Sequence, residues 1–248
     1  MNRSVIRGYR ESPEGSRKKM KINNRFLSVL FKTLISTVAV WGILIQCGAF
    51  EGVIRWSVFN YYTLLSNVLC ALYFAAAAIR EKIGRDTLLP SLKGAVVLAI
   101  AVTGLVYHFM LSGSFEMQGT MAVSNILLHY VVPVMAVTDW LLFDTKGRYS
   151  WKHPLFWVLP PVVYFLWAAV RVAGGATLGY GGNRYPYPFL DADTLGWGRV
   201  MINVSVLLLF FIVLGYVFYA IDRVLAHCAR KTIENAANKQ MLKKETED

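Results

Sequence analysis

The sequence predicts an all-α protein, a bundle of six membrane-spanning helices. Three observations carry this. Of 248 residues, 56% are hydrophobic and only 17% charged, where a soluble domain carries nearer a quarter. The mean hydropathy is +0.44. The apolar residues come in long blocks without helix-face or strand alternation, and six blocks reach the roughly 20 residues that a helix needs to cross a bilayer.

The chain is basic, with a formal net charge of +11. Nucleic-acid binding is not expected, because the Lys and Arg lie between and beyond the apolar blocks, not on one face of a folded domain. Cys47, Cys70 and Cys228 have no metal-ligand spacing and form no disulfide framework. No metal or cofactor is expected.

Taken in order, residues 1–25 form a basic cytoplasmic tail, which should be unfolded or lie on anionic headgroups. The run that follows is longer than a signal core and has no A-x-A cleavage pattern, so it is expected to stay as a first span. The membrane domain covers 26–221, with spans at about 26–47, 58–79, 92–111, 121–143, 154–173 and 200–221. Helices are the default because they close every backbone hydrogen bond in lipid. Residues 222–248 form a charged tail that continues as a polar helix. All Lys and Arg except Arg55, Arg171, Arg184 and Arg199 fall on one side of this arrangement, so both termini are expected in the cytoplasm. The loop 174–199 is then external. Its length and its Gly-rich, Pro-rich composition suit a lid or binding segment.

Polar residues concentrate toward the external side. At 1.5 Å per residue, Thr63 lies about 8 Å inside the second span and His129 about 12 Å inside the fourth. Thr63, Ser66 and Asn67 share a face at i, i+3 and i+4, and Asn125 and His129 are one turn apart. A polar chamber in the outer half of the bundle is expected. Thr63 alone also fits a hydroxyl bonded to its own helix, and His129 alone fits a structural hydrogen bond as well as a functional role. Arg171 fits a snorkelling interfacial cation or a clamp for a substrate carboxylate. Asp139, about 15 Å along the helix from His129, is expected to pair with loop cations.

Three segments occur in order: Asn60-Tyr61-Tyr62-Thr63-Leu64-Leu65-Ser66-Asn67, Leu128-His129-Tyr130-Val131-Val132-Pro133, and Tyr187-Pro188-Phe189-Leu190-Asp191. This set resembles the bacterial six-span branch of the androgen-induced-protein family of multi-pass membrane proteins. Leu65 departs from the pattern, which would place a glutamine there. The animal members of that family hydrolyse fatty acid esters of hydroxy fatty acids with an intramembrane threonine and histidine. The resemblance puts those roles on Thr63 and His129 and implies an integral lipid-ester hydrolase of a bacterial cell membrane. Asn67 and Asn125 are then candidate oxyanion donors, Arg171 and Tyr187 candidate substrate contacts, and Asp191 of the lid a candidate partner for His129. The alternatives are a non-enzymatic lipid-binding or transport protein, and an acyltransferase using the same residues.

Overall fold

A computed structural model describes residues 24–85, 89–113 and 118–247. Among them every regular element is helical. The spans are α1 (Arg25–Gln46), α2 (Tyr62–Lys82), α3 (Pro90–Leu111), α4 (Thr120–Phe143), α5 (His153–Ala173) and α6 (Ala192–Glu247). All six are long and apolar enough to cross a membrane. The basic stretch 1–23 lies outside the described residues.

Local chemistry sets the helix starts. The Asn24 side chain accepts the Leu27 N–H at 3.0 Å, capping α1. Pro90 and Pro154 occupy first-turn positions, where a missing N–H removes no helical bond. Two boundaries differ from expectation. α2 begins at Tyr62 because Trp56–Asn60 forms a separate 3₁₀ turn and Tyr61 is extended. α6 begins at Ala192 and turns at Gly196, whose φ of 73° is open to glycine.

α3 is the central helix, with Val96, Val97, Leu98 and Ile100 fully buried. Trp157 packs on Gly94, where a Cβ would lie 2.2 Å from the indole. Its Nε1 donates to the Ser91 carbonyl at 2.8 Å. The bundle's outside is apolar: Leu72 is 66% exposed, Val134 65% and Val170 70%. Apolar surface on this scale suits lipid, not water.

The chain runs up and down, so α1 starts and α6 leaves at one end, the tail end. Segments 47–61 and 174–191 close the other, the loop end. The tail end holds a buried ion network. Lys32 meets Asp139 at 3.0 Å and Glu81 at 3.2 Å, while Lys93 bridges Asp139 and Asp144. Asp139 therefore pairs with Lys93, at the junction of the 80–93 loop and α3, and also with Lys32, which α1 carries inside the bundle. Its helix position leaves it no route to solvent.

Candidate active site

Two cavities open at the loop end. The larger, about 380 Å³, is bordered by Thr63, Leu64, Leu128, His129 and the loop residues Pro186–Pro188. The smaller, about 120 Å³, is apolar and lies among α2, α3, α5 and α6, against Val106, Tyr164, Phe165 and Phe211. Thr63, Tyr107, Leu111 and Tyr187 border both. They form the partition between the two spaces.

Thr63 stands in the first turn of α2, where an N–H has no partner within the helix. That N–H donates to the Tyr187 hydroxyl at 3.4 Å. The Thr63 carbonyl accepts from Asn67 Nδ2 at 2.8 Å and Ser66 Oγ at 3.0 Å. Ser66 is in turn 2.9 Å from the Thr103 hydroxyl on α3. The nucleophile candidate is thus fixed from both sides, although it sits in the first turn of its helix and not about 8 Å inside it.

His129 sits on a widened, π-helical turn of α4, Leu127–Val131. Pro133 follows it and offers no N–H to the His129 carbonyl, which favours such a turn. α3 carries a matching wide turn at Tyr107–Leu111. The helices approach closely because residue 104 is glycine; a Cβ there would lie 2.7 Å from the His129 carbonyl oxygen. The Tyr107 ring stacks on the imidazole, with centroids 3.9 Å apart and planes 26° apart. His129 Nδ1 is 3.0 Å from the Asn125 carbonyl. A carbonyl only accepts, so Nδ1 carries a proton, and in the neutral form of the ring the lone pair lies on Nε2.

Tyr187 reaches this place from the loop. It is buried, stacks on Phe189 with centroids 5.0 Å apart and meets Tyr61 edge-on at 5.5 Å. Burial pushes its phenol up to about 12, against a smaller opposing effect of the Thr63 hydrogen bonds. At neutral pH it is a protonated hydrogen-bond donor.

The structure brings Thr63, His129 and Tyr187 to one cavity and leaves other candidates elsewhere. Asn67 directs both amide hydrogens to carbonyls, those of Thr63 and, at 3.2 Å, Leu128. It has none for an oxyanion. Asn125 donates to the Tyr107 hydroxyl, so it positions the Tyr107–His129 stack and does not face substrate. Arg171 is exposed over Trp167, 5.7 Å from the ring, and borders neither cavity. Asp191 caps α6: it accepts the Asp193 and Thr194 N–H groups at 3.0 and 3.2 Å and the Thr194 hydroxyl at 2.8 Å. That contact with Thr194 holds its carboxyl below the usual range. It cannot orient His129, whose Nδ1 is held by its own helix.

Tyr107 and Arg55, to which sequence reasoning gave no site role, border the larger cavity. The wide turn in α3 that aims Tyr107 has no sequence signature. Arg55 was visible only as one of four cations away from the basic side. No protein-family model, curated protein or solved structure matches this chain.

Proposed function

We propose that the protein is a lipid-ester hydrolase, with Thr63 as nucleophile and His129 as general base. The observation that carries this reading is that both residues border one 380 Å³ cavity, within the size range of small-molecule sites, while Nε2 of His129 keeps its lone pair. Thr63 Oγ would attack the ester carbonyl as Nε2 takes its proton. The tetrahedral oxyanion would be met by the Tyr187 phenol and the Thr63 N–H, which now bond each other. Collapse breaks the ester C–O bond, and His129 returns the proton to the leaving alkoxide. Water, deprotonated by the same nitrogen, then releases the acid and frees Thr63. The two cavities that meet at Thr63 suit an ester whose arms lie on either side of the partition. A fatty acyl ester of a hydroxy fatty acid is such a molecule.

The distribution of Lys and Arg supports placing the tail end in the cytoplasm, with the cavities toward the outer face.

Thr63→Ala and His129→Ala should each reduce turnover of such an ester by about 10³-fold or more, with thermal unfolding unchanged. Full activity in both variants would exclude the dyad. Among the described residues no hydrogen bond joins the Thr63 hydroxyl to the His129 ring, which favours a second reading, a lipid-binding protein without chemistry. A fluorophosphonate probe separates the two: covalent labelling of Thr63 that requires His129 supports the hydrolase, and binding of esters without labelling supports the carrier.

A further inference from the structure

Among the described residues Arg55 is the one Lys or Arg on the wall of the larger cavity, and its environment is incomplete. The loop that carries it is tightly built. The Arg55 N–H donates to the Cys47 carbonyl at 2.8 Å. Gly48 lies directly against the guanidinium, where a Cβ would be 3.0 Å from Cζ and Nη2. The side chain is therefore aimed by backbone, not left to wander.

Its donors are unevenly used. Nη1 faces outward and pairs with the exposed Glu51 at 2.6 Å. Nη2 has only the Met121 thioether, a weak acceptor, at 4.0 Å. Nε is buried and has no hydrogen-bond partner among the described residues. Nε and Nη2 make up one edge of the guanidinium, the fork that meets two oxygens of a carboxylate or phosphate side-on. A buried cationic N–H without an acceptor is unfavourable, so an edge held in this state on a cavity wall points to a missing anion. Met121, unbranched and flexible, can yield to it.

We propose that the Nε–Nη2 edge of Arg55 is a subsite for the anionic headgroup of a single-chain lipid, a carboxylate or a phosphate, whose chain runs along the cavity toward Thr63 and His129. The subsite rests on the hydrolase reading only for where the ester bond would lie; the anion contact does not depend on it. On that reading the substrate carries a free acid at the end remote from the scissile bond, and Arg55 takes the role that the sequence suggested for Arg171.

The test titrates the purified full chain, in nanodiscs of neutral lipid at about pH 9, with oleate, oleyl phosphate and oleyl alcohol, followed by calorimetry. The wild type should bind at least one anion about tenfold or more tightly than the alcohol, and Arg55→Gln should lose that preference, a loss of about 10- to 100-fold for a charge-assisted contact. Arg171→Gln should bind as wild type. Tighter binding of oleate assigns the carboxylate, and tighter binding of oleyl phosphate assigns a phospholipid-type headgroup. Equal binding of alcohol and both anions by the wild type, or anion binding unchanged in Arg55→Gln, overturns the subsite. Should Arg55→Gln lose the alcohol as well, Arg55→Lys decides, since it keeps charge without the fork. Weaker anion binding with the alcohol unaffected supports the proposal, and unchanged anion binding overturns it. Absence of ester turnover by the wild type, alongside Arg55-dependent anion binding, would remove the hydrolase and leave the subsite.

Discussion

The two ends of the bundle bury polar groups in opposite ways. At the tail end the buried groups are ions, and they are paired: Lys32 and Lys93 both meet Asp139, with Glu81 and Asp144 alongside. At the loop end the buried groups are neutral hydroxyls, amides and one imidazole, with the part-buried guanidinium of Arg55 at their edge. They border open space, and several keep donors or acceptors unused. A buried ion pair leaves nothing over for a ligand, whereas a neutral cluster beside a cavity does. The tail end holds helices together, and the loop end leaves the open space that the proposed function would use.

The largest effect should come from opening the ion network. Asp139→Ala leaves two lysines buried without their shared carboxylate and should destabilise the protein by roughly 3–5 kcal/mol, seen as a lower unfolding temperature in detergent. A loss much below 1 kcal/mol would mean that water reaches the lysines and that the contrast between the ends is false. Next comes Tyr187→Phe, which removes a proposed oxyanion donor at the loop end. It should lower kcat for ester hydrolysis by about 10²- to 10³-fold with little change in KM or unfolding temperature. An unaltered kcat would reassign Tyr187 to packing.

The smallest effect tests the tail end's exception. Lys146 is buried with the Trp140 carbonyl as its hydrogen-bond partner. Burial pulls its ammonium down to about 8, against the attraction of Asp144 and Asp222. The unfolded chain, with a lysine near 10.4, then binds more protons than the folded one between pH 8 and 10. Stability should rise across that window, by about 1 kcal/mol from pH 7 to pH 9. Lys146→Met should flatten the rise, and an equal slope in both proteins would show that this lysine stays charged.

The six helices were legible because long apolar runs have few other solutions, and their ends were displaced only where a 3₁₀ turn or Gly196 intervened. The polar face of Thr63, Ser66 and Asn67 was legible too, since helical spacing places residues on a side. What spacing does not give is rotation relative to other helices. It could not say that Asp139 would find Lys32 of the first span as well as Lys93. Nor could it link Tyr187 to Thr63 across 124 residues. Arg55 and Arg171 were equivalent as lone cations near span ends. The turn at Gly48 directs one to the cavity, while Trp167 keeps the other at the surface.

The wide turn in α4 sets the angular phase between the halves of that helix. Ahead of it, Ser124 and Asn125 point at α1 and α3; beyond it, Asp139 points at two lysines. One residue more or fewer would swing the halves by about 100° against each other. An insertion or deletion anywhere from Ser124 to Asp139 would therefore misalign either the imidazole or the carboxylate.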